Sequence, residues 1–267
     1  MRGLKLVAAT LVLIAVGSAM ASPNINGAVI KPRIWNDDPT SVFTSVNLYP
    51  TLIAMQDSSL NGDGASPDWA NRHNFRLSDD GGATEAVFMN GDGFAFAADV
   101  TLTGPANMEG GLNVSPWWSK DVDGVFMLRT SDGEVSCWGG RLPFFNFTAT
   151  YGVHYVKGET VRLAVAYSPE GLSPASPGII RYWYISSSGT YASPWLAFDQ
   201  GNPSEDPPYG LWGILNDARV GGWFMPLINS QDPENWGRAE FANIYYVPEP
   251  AALALLGLAA VLLRRVR

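Results

Sequence analysis

Cleavage of a glycosidic bond needs two carboxylates facing one cleft, about 5 Å apart in retaining enzymes. On a β-strand that means acidic residues at i and i+2 or i+4, whose side chains share a face. Spacing of two occurs at Asp121/Asp123 and Asp132/Glu134, but both pairs flank glycines and read as turn formers. Glu109 stands on a strand with no acidic partner visible in the sequence. The two histidines, His73 and His154, lie beside no nucleophile motif, and there is no Gly-x-Ser-x-Gly elbow. One cysteine and two histidines do not supply a structural zinc site. Calcium is the one metal whose ligand chemistry the loops offer, at Asn61-Gly62-Asp63-Gly64, Asn90-Gly91-Asp92-Gly93 and Asp121-x-Asp123-Gly124. None continues into a twelve-residue loop ending in Glu, so turn geometry is the better account. No catalytic residue, metal or cofactor is therefore assigned, and an enzyme is not expected.

The remaining chemistry is aromatic. The chain has 10 tryptophans, and eight of them, Trp117, Trp118, Trp138, Trp183, Trp195, Trp212, Trp223 and Trp236, lie beyond residue 116. Indole faces stack on the C–H faces of sugar rings, while Asn, Asp and Arg bond hydroxyls. Tryptophans also fill large β-cores. Residues 205–219 combine both kinds of group, and Pro203, Pro207 and Pro208 stiffen that loop, lowering the entropy lost on binding. Trp212, Asn216, Asp217 and Arg219 are the candidate ligand residues, with Trp118 and Arg141 as neighbours. Asp217 and Arg219 share a face if the stretch is extended, which equally suits a structural ion pair.

These groups must be positioned by short strands. Apolar alternation marks Val42 to Leu48, Phe94 to Leu102, Met108 to Val114, Gly124 to Thr130, Glu134 to Trp138, Thr160 to Tyr167, Ile179 to Ile185, Val220 to Phe224 and Ala239 to Tyr246. Ala83 to Met89, Phe144 to Ala149 and Trp195 to Phe198 read as further strands, and Asp79-Asp80-Gly81-Gly82 as a hairpin turn. Gln56 to Asn74, rich in Gly, Asp and Asn, reads as a long surface loop. No long amphipathic helix or fixed-period repeat is visible. Many short strands with 28 glycines and 19 prolines predict an all-β fold, an antiparallel jelly-roll β-sandwich. Cys137 falls on the Val135 face and is expected to be a buried small hydrophobe; being alone, it forms no intrachain disulfide.

The ends differ from the middle. Arg2 and Lys5, an apolar run from Leu6 to Val16 and small residues up to Ala21 form a secretory signal peptide, with signal peptidase cutting between Ala21 and Ser22. At the other end stand Val247-Pro248-Glu249-Pro250, an uncharged apolar run from Ala251 to Leu263 that predicts a helix, and Arg264-Arg265-Val266-Arg267. That helix would span roughly 20 Å, short of the ~30 Å hydrocarbon core, with its arginines held on the cytoplasmic side. The organisation is thus 1–21 signal peptide, 22–246 sandwich and 247–267 tail. Setting both ends aside leaves 12 basic against 24 acidic residues from totals of 17 and 25, a net charge of about −12. That charge disfavours nucleic acid and anionic membrane surfaces as partners.

The tail, with Pro-Glu-Pro, apolar run and basic end in order, closely resembles the PEP-CTERM sorting signal read by exosortase-type membrane proteases. The resemblance implies transient inner-membrane anchoring, processing near Pro248, Glu249 and Pro250, and a final place at the cell surface or in the extracellular matrix. That family is associated with bacteria that make exopolysaccharide, which implies exopolysaccharide as a partner. The middle resembles, diffusely, the concanavalin A-like lectin/glucanase sandwich, through Glu109 to Val114, the Asp123-Gly124-Val125-Phe126 hairpin and the closing Phe241 to Tyr246 strand. It lacks the Glu-x-Asp-x-Glu strand of the related glucanases. The leading expectation is a non-catalytic glycan-binding or matrix-structural module. The alternatives are a surface protein without specific ligand and a polysaccharide-active hydrolase or lyase.

Overall fold

The computed structural model describes residues 22–58, 69–115, 124–139, 142–198, 212–228 and 234–248. They form two antiparallel sheets sharing one core. In spatial order the first sheet contains β1 (Gly27–Asn36), β4 (Trp69–Ser78), β14 (Val220–Ile228), β6 (Asn107–Val114), β7 (Val125–Arg129), β8 (Val135–Trp138) and β9 (Phe145–Asn146). The second contains β12 (Gly189–Ala192), β11 (Ile179–Ser186), β10 (Thr160–Ser168), β5 (Phe94–Thr103), β15 (Trp236–Pro248), β3 (Leu52–Ser58) and β2 (Val42–Leu48), with β13 (Leu196–Ala197) paired to β11. The all-β, antiparallel two-sheet sandwich expected from the sequence is what the chain forms.

Period-two alternation supplies the core. Phe94, Phe96, Ala98, Val100 and Leu102 of β5 and Val161, Leu163, Val165 and Tyr167 of β10 all point inward and are buried. They meet Phe75 and Leu77 of β4, Met108 and Leu112 of β6, Phe126 and Leu128 of β7 and Phe224 of β14. Phe75 sets its edge against Phe241 of β15, with ring centroids 4.9 Å apart, joining the two sheets.

The polar stretch read as a loop from Gln56 to Asn74 contains part of the frame instead. Gln56 to Ser58 closes β3, and Trp69 to Asn74 opens β4, which lies between β1 and β14. Composition misled here because Asn71, His73, Asn74 and Arg76 are buried polar residues, each hydrogen-bonded in place. Phe88 of the expected Ala83 to Met89 strand makes only an isolated bridge with Ala218. Residues 144–149 split into β9 and the five-residue helix α1 (Phe147–Tyr151), because Asn146 caps the helix by accepting from Ala149 N–H. Asp79 to Gly82 forms a tight turn, but it leads out of β4 toward the Phe88 bridge and not into a paired strand.

Cys137 is buried in the shared core, as its alternation with Val135 implies, and burial pushes its thiol well above the ordinary value. A thiol reagent should therefore leave the native chain unmodified and label Cys137 only on unfolding; labelling at the native plateau would contradict this placement. Among the described residues no helix is long and apolar enough to cross a membrane. The signal segment and the apolar run from Ala251 to Leu263 lie outside the described residues.

Candidate functional site

Two polar assemblies stand out, one inside the sandwich and one on the far face of the seven-stranded sheet. The first is built where β3 and β4 face each other. Asp57 Oδ2 accepts from His73 Nε2 at 2.8 Å and from Asn71 Nδ2 at 2.9 Å. His73 Nδ1 in turn accepts the Arg33 N–H at 3.1 Å, which fixes the ring proton on Nε2. Asn71 also bonds Ser41 Oγ and the Asp38 carbonyl, and the His73 ring stacks on Phe43 at 4.2 Å. Burial opposes ionisation of Asp57, but the hydrogen bonds from His73 and Asn71 outweigh it and hold the carboxyl below its ordinary value. Ser, His and Asp are all present, yet both imidazole nitrogens are committed, one to the carboxylate and one to a backbone N–H. No hydroxyl is activated, and the cluster serves as an inter-sheet tie.

The second assembly follows from strand alternation. Residues of the seven-stranded sheet that turn away from the core are Arg72, Asn74 and Arg76 on β4, Gly221, Trp223 and Met225 on β14, and Glu109 and Asn113 on β6. Beyond them come Val125, Met127 and Arg129 on β7 and Ser136 and Trp138 on β8. The register lines them up across the strands. One row is Arg76, Gly221, Asn113, Val125 and Trp138. Because Gly221 has no side chain, the Arg76 guanidinium crosses β14 and donates to Asn113 Oδ1, which also accepts from Ser115 Oγ at 3.0 Å. The next row carries Asn74, Trp223, Met127 and Ser136. Trp223 packs with Val125 and Met127, and the Arg72 guanidinium lies 4.2 Å over its ring.

These side chains are buried although they face away from the core. Among the described residues the indole Nε1 of Trp223 and the hydroxyl of Ser136 have no hydrogen-bond partner, which is uncommon for buried polar atoms. Toward β8 and β9 the same face opens. Trp138 is 43% exposed, and Phe144, which alternates with core-packed Phe145 opposite Cys137, is 65% exposed. Adjacent strands lie about 4.8 Å apart, so from β4 to β9 the face extends roughly 24 Å. Glu109 sits on its third row, where burial pushes its carboxyl up against the opposing pull of Arg129 and Arg72. Arg129 ties Glu109 at 4.0 Å to Asp132 and Glu134.

Of the residues singled out from sequence, Asp217 and Arg219 come together as an ion pair at 2.7 Å, and Arg219 also faces Glu85 at 3.4 Å. Arg219 lies on the same face as Trp223 by alternation, with its carbonyl accepting from Ser115 N–H. Asn216 accepts from Asn90 N–H at 3.0 Å, stapling two turns. Trp212 is half-buried with φ +56°, and its carbonyl accepts from Gly178 N–H. Trp118 and Arg141 lie outside the described residues. Asp132 and Glu134 are joined through Arg129, and Asp92 closes a turn by accepting from Met89 N–H. Among the described residues no group of three or more His, Cys, Asp or Glu side chains is placed to hold a metal ion.

No protein-family model matches the chain, and no curated protein matches it. Solved structures with a similar chain path include an alginate lyase of polysaccharide lyase family 7, 13% identical, covering 78% of this chain and 82% of that one at TM-score 0.41. Arcelin-5, a lectin-like defense protein from Phaseolus vulgaris, is 8% identical, covering 86% of this chain and 96% of its own at TM-score 0.37. At TM-scores below 0.5 neither bears on the site, which stands on its own geometry.

Proposed function

We propose that the chain is an exported, non-catalytic glycan-binding module of the cell surface or matrix, and that its binding surface is the open end of the outer face of the seven-stranded sheet, at β8 and β9. The observation that carries this reading is the row from the Arg76–Asn113 bridge to the exposed Trp138 and Phe144. The aromatic end offers stacking area, and the buried Arg76–Asn113 bridge and the Trp223 row beside it hold that end of the sheet in a fixed shape. A pre-formed aromatic platform loses little entropy on binding, which favours a ligand of many weak contacts such as a glycan. The carboxylates of that face, Glu109 and Glu134, are engaged by Arg129, an arrangement suited to holding a ligand and poorly suited to cleaving one. The jelly-roll description fits the way the chain passes between the two sheets. Export and release rest on the signal segment and on the resemblance of the tail.

Trp138→Ala and Phe144→Ala together should abolish retention on an exopolysaccharide matrix while leaving Tm unchanged, since exposed side chains contribute little to stability. Retention carried unchanged by the well-folded double variant, and lost instead in Trp212→Ala, would move the site to the Trp212–Arg219 region.

A further inference from the structure

The last strand does not stop where the sorting tail starts. β15 continues through Val247 and Pro248, two residues beyond the Tyr246 boundary suggested by sequence, with Val247 opposite Ala95 and Pro248 opposite Phe94. Tyr246 clamps this end, its ring 6.0 Å from Phe88 and 6.4 Å from Phe94. A proline closes a strand without cost when its missing N–H falls at the end of the ladder. The start of the described chain reaches the same place. Ser22, the residue that signal removal would expose, is buried, and its hydroxyl donates at 2.9 Å to the carbonyl of Gly93, the neighbour of Phe94.

We infer that the first proline of the Pro-Glu-Pro unit belongs to the folded domain, and that the sandwich sets the inner limit of tail processing, beyond the Pro248–Glu249 bond. This rests on reading the tail as a processing signal. Cleavage is hydrolysis of a backbone amide: the C–N bond breaks, water's oxygen joins the carbonyl carbon, and a proton passes to the departing amine. A protease must take the residues on both sides of that bond in an open, extended form. Val247 and Pro248 are already committed to β5, so the Pro248–Glu249 bond is reached only when the end of β15 frays. Because Ser22 bonds Gly93 and Pro248 pairs with the next residue, Phe94, the two ends of the described chain lie at one end of the sandwich.

Two measurements test this. In vitro, the full chain in mild detergent is treated with a proline-specific endoprotease. The Pro248–Glu249 bond should be cut about tenfold or more slowly in the native chain than in urea, and Tyr246→Ala should speed the native cut. Equal rates would overturn the inference, whatever the tail does in cells. In the expressing bacterium, intact mass should give a mature chain beginning at Ser22 and ending at Glu249 or later. An end at Pro248 or earlier overturns the inference and leaves the sorting reading standing. A retained full-length chain overturns the sorting reading and with it the processing limit, while the in vitro rates still report whether Pro248 is folded in.

Discussion

Asp57→Ala should destabilise the sandwich by about 2–4 kcal/mol, since leaving a buried donor without its acceptor costs about 1–3 kcal/mol and two donors are affected. The loss would leave the fully buried His73 Nε2–H and one of the Asn71 bonds without their acceptor, where β3 meets β4. Chemical denaturation of the variant gives the magnitude; a change under about 1 kcal/mol would contradict the role assigned to this tie. The same group predicts a pH dependence. Asp57 has a folded pKa below its ordinary value, so its contribution is fully present above the unfolded carboxyl pKa of about 3.9 and is lost as pH falls through the folded value. Stability of the parent chain should therefore fall on acidification below about pH 4. Asp57→Asn should show a shallower fall across the same window.

Gly221→Ala should cost about 3 kcal/mol, at the upper end of the range for overpacking. Its added Cβ would sit 2.0 Å from the Phe75 carbonyl oxygen, and backbone cannot swing aside as a side chain can. It would also intrude where the Arg76 guanidinium crosses to Asn113. Gly111→Ala, with φ +150° and a Cβ 2.1 Å from the Phe126 carbonyl oxygen, should behave alike. Gly91→Ala, which meets nothing within 4 Å, is the control and should stay within about 0.5 kcal/mol of the parent. Urea unfolding of the three variants decides; a tolerated alanine at Gly221 would mean that β4 and β14 are not as closely apposed as described.

Strands whose apolar residues alternate were legible in the sequence. β10 and β11 fall where the alternation of Val161, Leu163, Val165 and Tyr167, and the β-branched and aromatic run from Ile179, put them. β4 was not legible, because a strand carrying polar side chains on both faces has no period-two hydrophobic signal. Asn71 and His73 point into the core toward Asp57, and Arg72, Asn74 and Arg76 point outward, so the stretch reads as loop in composition alone. The site was hidden for the same reason. Its members come from β4, β6, β7, β8 and β14 and share a face only through register, which no local pattern encodes. A weak signal did exist: Arg72, Asn74 and Arg76 are spaced by two, as side chains of one strand face must be. Arg219 was selected for composition, and the structure puts it on that face while pairing it with Asp217 and Glu85.

The most direct test of the proposed glycan-binding face uses the tryptophan indole N–H signals of ¹⁵N-labelled protein, assigned by single Trp→Phe variants. On titration with exopolysaccharide fragments, the Trp138 signal should move, while those of the buried Trp223 and of Trp183 and Trp195 stay fixed. The latter pair sits on the eight-stranded sheet and its flank, 6.4 Å apart. Movement confined to Trp183, Trp195 or Trp212, or no movement at saturating fragment, would contradict the assignment of the binding face.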